Sequence, residues 1–471
     1  APFMRSLCDS GTRVADAVTM FPATTVPCCS TLFTGCWYKN HGVLNNEWMD
    51  RFETPVRARS YIAGLHYALD SLDRRLFGFP TILLPDKKLG GAVNADLDAP
   101  TVYSEFTGDG RTAYAFFHYF GKGTTKWVRP GRMDMVRYGI VEQYEKPFQM
   151  YEKHMVTKAI SHARREMPDL MSIYFGCNDG HSHRHGVPAQ KEYLRDFVDP
   201  EMARLDAALH RMYPNDDFFW AITADHGQTN IPEEFIDRCI WYEDYIPILN
   251  ELGYPRVQRS ISDDYLEDCD TVISMGDGAA VNFYLKSRAG GDWRTQPDFE
   301  SELVPVLNAL LKANDGLAPF GDWPKRNSLD FLLTRTAFDE PYSVYVHEPP
   351  YEGRGKLVSV EGFFSDRAGG YVRPVERIRG WDHPKNSDII LVLNYAENFS
   401  VNEPDSFHPG QHGSLLPDDS YVPMIFSGPG IKKGEIQDAL TIDFSPTAAS
   451  LLGVSMPKAD GRALDILEDG K

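Results

Sequence analysis

Three short polar segments and one threonine carry most of the chemistry this chain could do. Asp179 and His183 stand four residues apart in Cys177-Asn178-Asp179-Gly180-His181-Ser182-His183-Arg184-His185-Gly186. Asp225-His226 is an adjacent pair inside Thr223-Ala224-Asp225-His226-Gly227-Gln228. His412 closes the segment His408-Pro409-Gly410-Gln411-His412-Gly413. Mixed carboxylate and imidazole donors suit zinc, manganese or iron better than calcium or magnesium, which take all-oxygen shells. Two Asp–His pairs and a further His supply most of a two-metal centre. Such a centre, with ions ~3.5–4 Å apart, clamps the attacking and leaving oxygens of a phosphoryl transfer. His181 and His185 read as surface or supporting residues rather than ligands. The threonine is Thr25, in Phe21-Pro22-Ala23-Thr24-Thr25-Val26-Pro27 with a helical run after it. There the helix dipole and free N–H groups favour an anion, and a metal-activated hydroxyl would be a nucleophile. The plain alternative for Thr25 is a helix N-cap.

Positioning such groups calls for strands that end where the polar segments begin. Leu170–Phe175 reads as a strand running into the Asp179 segment. Phe218–Thr223 reads as a buried strand running into Asp225. Val102–Phe106 and Thr112–Phe117 read as helix and strand, Glu145–Glu166 and Asp199–Met212 as helices, and Ile389–Asn394 and Val422–Ser427 as buried strands. Thr441–Leu452 reads as a late helix, and Ala1–Val18 as a helix before the threonine. Alternation of this kind predicts an α/β protein with a largely parallel central sheet and helices on both faces. Open sheets of this class bind ligands at the carboxyl ends of their strands. Residues 78–99 look loop-like. The long mixed region 233–382, with Pro/Gly clusters at 316–323 and 348–355, reads as an inserted cap. The expected division is a core of 1–232 and 383–471 and a cap of 233–382.

Composition narrows the function class. The 471 residues carry 48 Lys+Arg against 67 Asp+Glu, a net charge of −19. So acidic a chain is a poor binder of nucleic-acid duplexes, which need clustered cations. No run approaches the ~20 apolar residues of a membrane span. Seven cysteines without a CxxC spacing argue against a disulfide scaffold or structural zinc, and for reduced thiols in a cytosolic setting.

Together these segments resemble the alkaline phosphatase superfamily, in its nucleotide pyrophosphatase/phosphodiesterase branch. Thr25-Val26-Pro27 with Thr34-Gly35 looks like the branch's nucleophile motif, and His41-Gly42-Val43-Leu44-Asn45-Asn46 like the segment after it. The resemblance implies Thr25 as nucleophile through a covalent phospho-threonine. Asn46, or Asn45 one residue before, would be the amide donating to a phosphoryl oxygen, and His41 a structural helix end. It implies Asp179, His183 and His412 on one metal, and Asp225, His226 and Thr25 on the other. Two divalent ions are expected, zinc first and manganese or iron as alternatives, with a small phosphate ester as substrate. The family has a further metal-binding Asp on a strand before the nucleophile. Only 24 residues precede Thr25, and Asp9 and Asp16 stand in the wrong context, so a truncated N-terminus is expected. A phosphodiesterase is the leading reading, with phosphonate hydrolase or phosphomonoesterase on the same constellation as alternatives. A sulfatase would need Cys or Ser at 25 and Arg at 29, where this chain has Thr25 and Cys29. A reading of another class is a degenerate, non-catalytic relative that binds a phosphorylated ligand.

Overall fold

The computed structural model describes residues 1–61, 90–118, 120–129, 147–231, 240–259, 266–274, 279–317, 328–365, 367, 369–394, 400–401 and 409–468. The chain opens with α1 (Pro2–Ser10), β1 (Thr12–Val18) and α2 (Thr25–Thr34). The single helix expected over 1–18 is therefore corrected. It stops at Ser10, and β1 pairs in parallel with one neighbour and antiparallel with another. Pairing on both sides outweighs the weak helical preference of so short a segment. The N-terminus of α1 is held from outside, where the Asp199 carboxylate accepts from the N–H groups of Phe3 and Met4 at 3.0 and 2.7 Å. Part of the region read as loop, Gly90–Asp96, is a short helix.

The following elements are β2 (Ala113–Phe116), β3 (Lys126–Val128), α3 (Pro147–Ala163), β4 (Leu170–Ile173), α4 (Cys177–His185), α5 (Asp199–Met212), β5 (Trp220–Thr223), β6 (Tyr421–Ser427) and β7 (Gly434–Leu440). They build two small sheets, in the orders β7-β1-β6-β5 and β3-β2-β4. Within each sheet every strand shares one direction except β6, which runs against both of its neighbours. Helices cover both faces, as side-chain alternation requires. Tyr114 and Phe116 of β2 pack with Met155 and Ala159 of α3 and Leu205 and Leu209 of α5. Ala113 and Ala115 face the core that holds Val26 and Cys28 of α2.

A third, seven-stranded sheet is built from Val257–Arg259, Thr271–Ser274, Ala280–Leu285, Ile389–Leu393, Leu329–Thr334, Ser343–Val346 and Lys356–Ser359, in that order. All neighbours are antiparallel except the first pair. Alternate residues divide its faces. Phe331, Leu333, Ile390 and Val392 join the core around α2. Leu332, Ile389, Leu391 and Leu393 pack under the helices Tyr242–Glu251 and Val304–Asn314. The strand Ile389–Leu393 thus belongs to this sheet, although the sequence reading put it beyond the cap boundary at 382. Two buried arginines join the parts. Arg51 makes a bidentate pair with Asp388 at 2.9 and 3.0 Å, both side chains fully buried. Arg377 donates to the carbonyls of Met20 and Val372 and to Ser420 Oγ at 2.7–3.1 Å. Among the described residues no helix is long and apolar enough to cross a membrane, and the cysteines are free thiols. Cys239 lies outside the described residues.

Candidate active site

The topology delivers the three polar segments to one place. β4 ends at Ile173 and α4 starts at Cys177. Asp179 and His183, four apart on α4, share one helix face. Asp225 and His226 follow the end of β5 after one residue, Ala224. Because β6 is antiparallel, its start lies at the edge where β1 ends, with Tyr421 opposite Val18. The segment before β6 therefore enters from that same edge and brings His412. There Gly410–Gln411 pairs with Thr229–Asn230. Gly227 is a necessity of the crossing, since a Cβ there would sit 2.0 Å from the carbonyl oxygen of Asp418. Ligand atoms of Asp179, His183 and His412 all lie within 4.8 Å of one another. Asp179 Oδ1 is 3.3 Å from His183 Nε2 and 3.9 Å from His412 Nε2. Asp225 Oδ2 is 3.7 Å from His226 Nε2. The rings of His226 and His412 stack at 3.8 Å.

All three imidazoles are oriented alike. His183 Nδ1 donates to Gly410 O at 2.6 Å, His412 Nδ1 to Ala23 O at 2.8 Å, and His226 Nδ1 to Gly227 O at 2.9 Å. A carbonyl only accepts, so each Nδ1 carries a proton, and Nε2 is the ring nitrogen left to meet a cation when the imidazole is neutral. This is the backbone support metal-binding histidines use. Three such nitrogens and two carboxylates match the donor chemistry of a zinc- or manganese-type centre. Burial pushes Asp179 up, yet His183, then His412 and His226, outweigh it and hold the carboxyl well below its ordinary value. Asp225 is pushed up by burial, eased by His226 and reinforced by Asp179. Burial, with His226 next, keeps His412 neutral.

Thr25 occupies the first turn of α2, and its Oγ1 is 3.2 Å from His226 Nε2. The N-cap is Thr24, so the capping alternative for Thr25 does not hold. The expected free N–H groups are also revised. Pro27 has none, and the N–H of Val26 donates to Asn46 Oδ1 at 3.0 Å. Asn45 serves the turn instead, its Oδ1 accepting from the N–H of Asn46 at 2.7 Å. His41 ends the helix Tyr38–His41, buried, with Nε2 3.1 Å from Thr31 Oγ1.

Sequence reasoning passed over several supporting residues. Cys29 Sγ and the Tyr174 hydroxyl both donate to Asp225 Oδ2, at 3.6 and 3.4 Å. Cys29 is four residues after Thr25, so helical spacing alone could have found it. Gln228 donates to Asp179 Oδ1, and buried Asp419 accepts from Ser414 and Thr229. Neither is signalled by a motif. Within the region 233–382, Tyr245, Tyr342 and Tyr345 are core residues. Arg373 and Arg379 form ion pairs with Asp438 and with Glu361 and Asp382. The rings of His181 and His185 meet at a tilt, their centroids 4.6 Å apart. His408 lies outside the described residues.

Comparison with known proteins bears on this arrangement. Residues 1–328 match the family described as type I phosphodiesterase / nucleotide pyrophosphatase. Human ectonucleotide pyrophosphatase/phosphodiesterase family member 7 is 24% identical over 232 residues, 49% of this chain and 44% of that protein. The match therefore spans less than half of that relative. Among solved structures, murine ectonucleotide pyrophosphatase/phosphodiesterase 5 superposes with a TM-score of 0.60 at 16% identity, over 98% of this chain and 92% of that one. A multiply substituted alkaline phosphatase PafA superposes with a TM-score of 0.62 at 13% identity, over 98% and 93%. At such identities the likeness establishes the fold, an alkaline phosphatase-like α/β architecture.

Proposed function

The chain belongs to the type I phosphodiesterase/nucleotide pyrophosphatase family, whose activity is hydrolysis of phosphoric esters, and on that premise we propose that it is a metal-dependent phosphodiesterase with Thr25 as nucleophile. The observation that carries the reading is the Thr25 hydroxyl on the first turn of α2, 3.2 Å from His226 Nε2, beside the Asp179–His183–His412 cluster. In this reading Asp179, His183 and His412 hold one divalent cation, and Asp225 and His226 hold the other next to Thr25. Zinc suits the nitrogen-rich donors best, with manganese or iron as alternatives. Such cations lower the pKa of a bound hydroxyl and offset charge on the phosphoryl oxygens.

The residues divide the remaining work. Thr25 Oγ attacks phosphorus in line, a Thr25–phosphoryl ester forms, and the leaving alcohol departs on the opposite side. Asn46 donates from its amide to a non-bridging oxygen. Water then attacks the phosphoryl-Thr25, releasing the second product and restoring the hydroxyl. A neutral amide in this role favours a diester over a more highly charged monoester. A murine relative's structure is described as an inactive variant in complex with AMP, which supports testing nucleotide esters first. We assign substrate selection to the region 233–382. Phosphonate hydrolysis and phosphomonoester hydrolysis use the same groups and remain the alternatives.

The 3.2 Å contact also favours a second reading, in which His226 Nε2 takes the Thr25 proton as general base. One lone pair serves either a cation or that proton, so the two readings separate experimentally. A panel of phosphodiesters, monoesters, phosphonates and sulfate esters is run with added zinc or manganese, and again after chelation. Diester turnover lost on chelation and in Thr25→Ala supports the metal-dependent reading. Turnover that survives chelation supports the base. Tight ligand binding without turnover under any condition supports the non-catalytic relative.

A further inference from the structure

Gln228 is 5% exposed and stands two residues after His226, on the loop of the second candidate cation position. Its side chain leaves that position and reaches the other. The amide Nε2 donates to Asp179 Oδ1, the oxygen that also faces His183 Nε2 and His412 Nε2. The amide Oε1 meets Ser182 Oγ, and Ser182 Oγ lies 3.0 Å from the carbonyl oxygen of Asp179. A carboxylate only accepts, so the end of the amide at Asp179 is its NH2, and the orientation is fixed. Ser182 lies between Asp179 and His183 on α4, so Gln228 ties the second-position loop to the helix of the first.

From this geometry we infer that Gln228 couples the two cation positions, so that filling either one strengthens binding at the other. The inference rests on the two-cation reading above. A cation at Asp225–His226 immobilises the loop, the loop immobilises Gln228, and Gln228 holds the Asp179 carboxylate in its binding rotamer. The ordering cost is then already met when the first position fills. Coupling of this kind is reciprocal. Partners that orient metal ligands typically change affinity by ~10–100-fold, which sets the expected size.

The test is zinc titration of the metal-stripped full chain against a chromophoric chelator, with a double-mutant cycle of His226→Ala and Gln228→Met. Methionine keeps the volume and removes the amide. In the wild-type background, His226→Ala is expected to weaken zinc at the Asp179 position by ~10-fold. In the Gln228→Met background the drop is expected to shrink to what the direct His226–His412 stacking contributes. An equal drop in both backgrounds overturns the coupling. Should Gln228→Met fail to give a cooperative melt, Ser182→Ala replaces it in the same cycle. There the His226→Ala drop is expected to shrink, and an undiminished drop overturns the coupling. Failure of the wild type to bind zinc at either position is a different result, and it overturns the two-cation reading itself.

Discussion

Thr25 sits where a helix begins, its Oγ1 3.2 Å from His226 Nε2, so the account predicts a steep dependence on its oxygen. Thr25→Ala should lower kcat on bis-p-nitrophenyl phosphate by ~1,000-fold or more, while Thr25→Ser retains part of the rate. Asn46 makes a sharper case. Asn46→Ala should lower kcat/KM by ~100-fold, the scale of losing one donor to a developing anion. Asn46→Asp keeps an acceptor for the Val26 N–H but loses the donated proton, so it should be at least as impaired. A near-normal Asn46→Asp enzyme would assign Asn46 to anchoring α2 alone. The ligand candidates were legible in the sequence because coordination chemistry admits few residue types. The i,i+4 spacing of Asp179 and His183 also puts both on one helix face. Gln228 and Asp419 were not legible, since their partners come from loops distant in sequence that meet only in the fold.

Buried charges tie the elements together alongside apolar packing. Arg377 bonds Met20 after β1, Ser420 before β6, and Val372, so it joins the loop leading to Thr25 to the start of the strand that follows His412. Arg377→Ala should cost ~3 kcal/mol or more in chemical denaturation, because several buried acceptors lose their donor together. Glu152 on α3 accepts from the N–H of Cys177 at the start of α4 and from the Tyr193 hydroxyl, at 3.0 and 2.8 Å. Burial raises its carboxyl from 4.5 to about 7. The folded state therefore holds this proton more tightly than the unfolded state does. The stability it contributes is complete below the unfolded value and is lost as pH rises through the folded one, up to about 3 kcal/mol. Glu152→Gln should flatten melting temperature against pH between 5 and 8. An unchanged slope would remove Glu152 from the titration. The strand–helix alternation around the site was readable because buried strands and amphipathic helices have distinct periods. β1 was misread as helix because its seven residues are specified by two flanking strands rather than by their own pattern.

At the scale of the whole molecule, the region read as a cap contains most of a sheet whose inner face shares the core of α2. Pro/Gly clusters and mixed periodicity concealed it, since antiparallel pairing between distant segments leaves little local signature. The fully buried Arg51–Asp388 pair locks the chain just after Asn46 to the strand Ile389–Leu393. Asp388→Asn should cost ~3–5 kcal/mol by leaving Arg51 unpaired, read in the same denaturation experiment. Cations that bind only the folded chain should stabilise it by ~3 kcal/mol at 100 times their Kd, and chelation should reverse this. The most direct measurement of the central claim is a rapid quench of metal-loaded protein during turnover of bis-p-nitrophenyl phosphate, followed by peptide mass spectrometry. The account predicts a p-nitrophenyl phosphoryl adduct on Thr25, absent after chelation and in Thr25→Ala. Steady turnover with no adduct on Thr25, and undiminished in Thr25→Ala, would contradict it.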